Sequence, residues 1–373
     1  MKLLYVVSEL SIHGGIERVV TDKLNWLVEY GGCEVCLLLA NQGENPIVFP
    51  LNTKVEYHDL SVMFHEIYHY SRLKRYYHYF RLHLIFRQKM SNYIHNFEPN
   101  VIVCTRLEYI YDVMNVSGDI PVVYEAHNSF LAYKYEKYSW KQRLQMRFWY
   151  RALKKVQMIV ALTNGDALQW KRINSHIQVI PNVVHLNRTS RYSDCRSKSV
   201  IFVGRFSDQK DYHSLLQVWN IVSLRHADWQ LNIYGGYGDQ LDKLRSVIAN
   251  IDANIVIHKP ISSINDEYIN NSLLLMTSNF EPFGLVLPEA MSCGLPVIAF
   301  DCPYGPADII TDGVDGFLVS NRDINSFANI VCRLLENEEL RRKIGQAGIK
   351  SSQRYDACYV MPQWMNLFRE LIS

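Results

Sequence analysis

Eleven short apolar runs alternate with helical patterns along the chain, and this rhythm constrains the fold more than any other feature. In the first half the runs are 3–8, 35–40, 101–105, 122–125 and 158–162. In the second they are 200–203, 231–234, 255–258, 273–277, 297–300 and 316–319. Continuous Val/Ile/Leu runs, without polar alternation, mark strands buried on both faces. Such strands pair in parallel and are covered by helices. Eleven are too many for one small doubly wound sheet. An eightfold barrel has about 250 residues and one repeating rhythm, which this sequence lacks. At 373 residues the chain has room for about two domains. The pattern predicts an α/β fold of two Rossmann-like domains with parallel sheets.

The break falls between Val179–Val184 and Ser199–Phe206. The segment "HLNRTSRYSDCRSK" between them is polar and aperiodic, as a linker is. The expected domains are therefore 1–187 and 199–355. Ligands of open α/β sheets bind beyond the carboxyl ends of the strands, so two such domains facing each other would enclose a deep cleft.

Composition excludes several classes. Hydrophobic residues make up 48% and charged residues 20%, which supports a sizeable core and argues against disorder. A net charge of +2 excludes a strongly basic nucleic-acid binder and an acidic tail protein. The near-neutral total is an average, however. Residues 1–187 carry 21 Lys/Arg against 16 Asp/Glu, a net of +5, and residues 188–373 carry 18 against 21, a net of −3.

Two segments create the basic excess, Phe64–Lys89 and Tyr133–Lys155. Both mix Tyr, Phe or Trp with Lys and Arg, and each holds a single Glu. Two readings stand for them. They lie on an anionic membrane surface with aromatics at headgroup depth, or they are surface helices whose aromatics face the core. Nucleic-acid stacking on these aromatics is the weaker use, and no nucleic-acid partner is expected.

The N-terminal "MKLLYVVSELSIHGG" has too short an apolar run for a signal peptide. No run approaches the roughly 20 apolar residues of a membrane span. A cytoplasmic protein, peripheral to a membrane at most, is expected. Of the eight cysteines, Cys33 and Cys36 form a Cys-x-x-Cys. No second pair follows to complete a zinc site, and a redox pair opens a helix, whereas 35–40 reads as a strand. Reduced, buried thiols are the expectation.

The residues with chemical meaning gather in "NFEPFGLVLPEAMSCGLPVIAFDCPYGPADIITDGVDGFLV", 279–319. Glu281 follows the 273–277 strand, and Pro282, Phe283 and Gly284 make a tight loop. The stretch 285–292 reads as a helix with Pro288 in its first turn. Its start would offer backbone N–H groups to an anion. Glu289 lies about one turn in, so Glu281 and Glu289 would reach opposite ends of one ligand. Two unrelated surface acids are the plain alternative. In "FVGRFSDQKD", 202–211, Arg205 and Lys210 follow a strand, placed to neutralise a diphosphate, Arg with a forked contact and Lys as a point charge; surface salt-bridging is the alternative. "SIHGGIERVV" joins the first strand to a helix through Gly14 and Gly15, which permit close backbone approach to phosphate or sugar or merely form a turn. "VVYEAHNS" places His127 at a strand end, either as a site residue or as a structural histidine.

The spacing of Glu281 and Glu289, within "EPFGLVLPEAMSCGLPVIAFD", resembles the sugar-nucleotide signature of the family 4 glycosyltransferases. The resemblance implies a GT-B fold and retaining transfer from a nucleotide diphosphate sugar to a glycan or lipid-linked acceptor, in bacterial surface-polysaccharide synthesis. It implies that Glu281 holds donor-sugar hydroxyls and Glu289 the ribose. Phe283, Gly284, Leu285 and Val286 would give backbone around sugar and phosphate, and Arg205 and Lys210 would bind the donor phosphates. Gly14, Gly15 and His127 would act from the acceptor domain. The family often has Asp after this His; here Asn128 follows. No essential metal or other cofactor is implied. The helix 359–373 would pack back on the first domain. Two other classes stand beside this reading: a non-catalytic GT-B subunit, and a membrane-surface or polyanion-binding module.

Overall fold

The computed structural model describes residues 1–131, 140–235, 241–248, 251, 253–259, 261 and 263–373, with the backbone alone at 72, 73, 140–145 and 243. It divides into two compact units, Met1–Val183 with Ala357–Ser373, and Val184–Asp356.

The first unit holds a seven-stranded sheet of β1 (Lys2–Val7), β2 (Glu34–Leu39), β3 (Glu56–Asp59), β4 (Val101–Cys104), β5 (Val122–Ala126), β6 (Met158–Ala161) and β7 (Ile177–Val179). Their order is β3-β2-β1-β4-β5-β6-β7, and every neighbouring pair is parallel. The apolar runs are continuous because both faces are covered. In β1, Leu4 and Val6 enter one core with Phe86, Met90 and Ile110. Leu3, Tyr5 and Val7 enter the other with Val20, Leu24 and Trp364. Helices α1 (Gly15–Glu29), α2 (Arg72–Phe97) and α3 (Leu107–Val116), with the terminal helix Ala357–Ile372, supply these covers.

The second unit holds β8 (Ser199–Val203), β9 (Gln230–Tyr234), β10 (Ile255–His258), β11 (Leu273–Met276), β12 (Val297–Asp301) and β13 (Phe317–Ser320). Their order is β10-β9-β8-β11-β12-β13, again parallel throughout. Both units are thus Rossmann-like. None of the described helices is long and apolar enough to cross a membrane.

Two strands carry no apolar run and were not expected. The edge strand β3 reads "EYHD" with Glu56 and Tyr57 exposed, and β7 is a half-buried "IQV". Edge strands bury less and need no continuous Val/Ile/Leu run. The expected linker, too, is held by the second unit. Asn187 N donates to Ser292 Oγ at 3.0 Å, and Ser193 Oγ donates to the Asn271 carbonyl at 2.6 Å. The buried Arg341 donates twice to the Cys195 carbonyl, at 3.1 and 2.7 Å. A polar segment can be ordered when its backbone groups find such partners.

Candidate functional site

In the second unit the site grows from the carboxyl ends of β8 and β11. Gly204 follows β8 and lies against the start of the β9 loop. A Cβ on Gly235 would come within 1.8 Å of the Gly204 carbonyl oxygen, so only glycine lets these two backbones approach. The Lys210 stem runs across Gly204, whose own Cβ would sit 3.2 Å from the Lys210 Cγ and Cδ. This sends the ammonium to the end of β11, where Lys210 Nζ meets Glu281 Oε2 at 2.5 Å. The same oxygen accepts from Ser278 Oγ at 3.1 Å.

Backbone bonds fix Glu281 from both sides. Its N–H donates to the Pro303 carbonyl at 2.6 Å. Its carbonyl accepts from Tyr304 N at 3.0 Å and Gly305 N at 2.9 Å. Gly284 then turns the chain with a φ of +95°, a left-handed conformation favouring glycine, and a Cβ there would press on Glu281 Cγ at 3.1 Å. The helix begins at Val286 and runs to Ser292, one residue later than expected, with Pro288 in its first turn. Glu289 accepts a bond from the buried Tyr268 hydroxyl at 3.2 Å. The two carboxylates therefore have separate partners, Lys210 and Ser278 for one, Tyr268 for the other. Arg205 is exposed two residues beyond β8 and forms no ion pair among the described residues. Phe283 is buried and packs its ring edge-on against Tyr355, with centroids 5.3 Å apart.

In the first unit, Gly14 precedes α1 in extended conformation and Gly15 opens the helix. The Glu17 carboxylate folds back over Gly14, where a Cβ would meet Glu17 Oε2 at 2.2 Å. Burial raises the Glu17 carboxyl; its own backbone amide, His127 and Arg106 oppose this, and Glu9 adds to it. His127 directly follows β5 and is buried, with Nε2 3.3 Å from Glu125 Oε1. Glu125 is in turn hydrogen-bonded to Lys23 of α1, and both are almost wholly buried. The Lys23 ammonium sits 3.8 Å from the Trp364 ring centroid. Burial alone would raise the Glu125 carboxyl, but Lys23 and His127 together hold it down to about 2.

The sequence reading missed Ser278, Tyr268, Lys23 and Glu125. Two of these had a signal. Strand alternation puts Glu125 on the face of His127. Helical spacing puts Lys23 on the buried stripe of Val20, Leu24 and Leu27. Ser278 and Tyr268 had none. Among the described residues no cluster of three or more His, Cys, Asp or Glu is placed to hold a metal ion.

Two family descriptions match the chain back to back. Residues 13–188 match "Glycosyltransferase Family 4" and residues 187–351 match "Glycosyl transferases group 1". Together they run almost from end to end. The chain is a glycosyltransferase, with a family 4 domain in its first half and a group 1 domain in its second. A relative in Erwinia amylovora, the amylovoran biosynthesis glycosyltransferase AmsD, is 29% identical over 57% of this chain and 62% of its own length. The exopolysaccharide phosphotransferase SCO2592 of Streptomyces coelicolor is 32% identical over 53% of this chain and 21% of its own. The chain thus spans about a fifth of one relative and under two thirds of the other. Among solved structures, a Staphylococcus aureus TarM mutant in complex with fondaparinux, alpha-GlcNAc-glycerol and UDP superposes with a TM-score of 0.80. It has 16% identity, with 98% of this chain and 99% of that chain covered. At that identity the likeness establishes the fold, GT-B, and nothing finer.

Proposed function

We propose that this glycosyltransferase is a retaining enzyme that moves a sugar from a nucleotide diphosphate sugar to a glycan or lipid-linked acceptor, in polysaccharide, lipopolysaccharide or capsule synthesis. The observation that carries the proposal is the Lys210–Glu281–Ser278 cluster, with Glu289 steadied by Tyr268 in the same unit. A cation and a carboxylate held together at strand ends suit a ligand with a diphosphate beside a polyhydroxylated ring. The UDP named in the TarM complex and the exopolysaccharide named in the SCO2592 description fit this class of chemistry.

In this reading Lys210 and Arg205 face the donor diphosphate and stabilise the charge that grows on it as it leaves. Glu281 accepts hydrogen bonds from donor-sugar hydroxyls, and Glu289 accepts from the ribose. Phe283, Gly284, Leu285 and Val286 form the backbone around sugar and phosphate. Gly14, Gly15 and His127 serve the acceptor. The bond from the anomeric carbon to the phosphate oxygen breaks, and the acceptor oxygen bonds to that carbon on the same face. The acceptor's proton passes to the departing phosphate oxygen. Two cations already match the diphosphate charge, so the proposal includes no essential metal, and EDTA is expected to leave turnover unchanged. None of the eight cysteines is in a disulfide, which supports a reducing compartment, and we place the protein in the cytoplasm.

The test is a panel of nucleotide diphosphate sugars scored by calorimetric binding and by nucleotide release. NMR of the transferred sugar then gives its anomeric configuration. The expected product keeps the donor's configuration. An inverted product overturns the retaining assignment, and binding of no donor overturns the whole reading.

A further inference from the structure

Helix α2 has two apolar faces, and only one of them is covered. His83, Phe86, Met90 and Ile94 are buried against the sheet. On a second face Tyr77 is 68% exposed, Phe80 66% and Leu84 63%. At 3.6 residues per turn these three fall within an arc of about 60°, centred about 110° round the helix from the buried residues. A helix face turned to water is ordinarily polar. Lys74 and Arg81 are exposed beside this stripe. Over its 26 residues α2 carries six Lys/Arg and no Asp or Glu.

We propose that this outer face of α2 is the surface by which the protein docks on an anionic lipid bilayer, with Tyr77, Phe80 and Leu84 entering the boundary between headgroups and acyl chains. The charge pattern selects this occupant. Arg87 is paired with Asp112, but Lys74 and Arg81 are exposed beside the apolar stripe and α2 holds no acid to offset them; they match a negative lipid surface, and long Lys and Arg side chains reach headgroups while their stems lie on apolar matter. A second copy of the chain would bring the same cations against themselves, so symmetric pairing through this face is repulsive. Single-stranded nucleic acid would stack on Tyr77 and Phe80, but Leu84 has no ring to offer. Tyr is a side chain favoured at the membrane interface, and the stripe lies flat along the helix as an in-plane amphipathic helix does.

The proposal is independent of the donor and of catalysis, and its test needs neither. The whole protein is sedimented with phosphatidylcholine vesicles containing or lacking phosphatidylglycerol. Binding is expected at least about tenfold stronger to the anionic vesicles and weaker as salt rises. The variant Tyr77→Ser/Phe80→Ser/Leu84→Ser is expected to lose about tenfold or more. Lys74→Glu/Arg81→Glu is expected to lose the preference for anionic lipid. All five side chains are exposed, and far-ultraviolet circular dichroism checks that both variants keep the fold. Absence of wild-type binding to anionic vesicles overturns the proposal, as does a triple variant that binds like wild type. A wild-type dimer that the triple variant converts to monomer, or equal affinity for single-stranded nucleic acid, would assign the face to another partner and overturn it too.

Discussion

Two buried acids in the first unit show how partners decide what burial does to a charge. Glu125 has Lys23 and His127 beside it, and its carboxyl falls to about 2. Asp166 accepts from Phe130 N at 2.8 Å and Trp170 Nε1 at 2.7 Å and has no cation partner among the described residues, and burial raises it to about 6. Their contributions to stability therefore run in opposite directions. Glu125 is more acidic folded than unfolded, so its contribution is complete above its ordinary carboxylate value and is lost as pH falls from about 4.5 to about 2. Asp166 is less acidic folded, so the native state holds its proton more tightly. Stability falls as pH rises from about 4 to about 6. Urea unfolding of Asp166→Asn across that window is expected to lose this slope. Removing either partner of the Lys23–Glu125 pair leaves a bare buried charge and should cost about 3–5 kcal/mol. Lys23→Met/Glu125→Leu should cost less than the two single changes summed, read from the same denaturation curves. Glu281 and Lys210 stand out in the sequence because each lies in a distinctive loop after a strand, and Glu289 because it lies in the helix that opens from the first of those loops. Tyr268 and Ser278 were not, since a single tyrosine or serine carries no periodicity that points to its partner.

At the scale of the element, α2 explains why its segment supported two readings. With apolar residues both inward and outward, and cations between, the sequence has no single apolar stripe. Part of the segment faces the core, as Phe64 packs on His83, Phe86 and Tyr109, while Tyr77, Phe80 and Leu84 are exposed and form the face proposed to dock on lipid. Residues 133–139 of the second basic segment lie outside the described residues. The strands were legible to within a residue or so wherever both faces are buried, and illegible at the edges β3 and β7. The terminal helix Ala357–Ile372 buries Val360, Met361, Trp364, Leu367 and Phe368 in the core of the first unit. Trp364 also covers the Lys23 ammonium. Trp364→Ala is expected to destabilise that unit by about 3–5 kcal/mol. Hydrogen exchange should show the loss in α1 and β1 while β8 to β13 stay protected. Equal loss in both units would contradict it.

At the scale of the whole molecule, two parallel sheets of seven and six strands follow from the alternation of apolar runs and helices. The division does not follow the chain in order, because the last helix returns to the first unit. Residues 188–198 lie wholly within the second unit, tied there by Arg341 and Ser193. Polar composition suggested a linker; hydrogen bonding to buried carbonyls decided otherwise. The halves also differ in charge, +5 against −3, and the positive half carries the face proposed to dock on lipid. The central claim is that the second unit holds a donor sugar through Glu281. The most direct measurement is the turnover of the best donor from the nucleotide-sugar panel by wild type and Glu281→Ala, with thermal unfolding recorded for both. The account predicts a fall of about 100-fold or more in kcat with the fold intact. Full activity in a folded Glu281→Ala protein would contradict it.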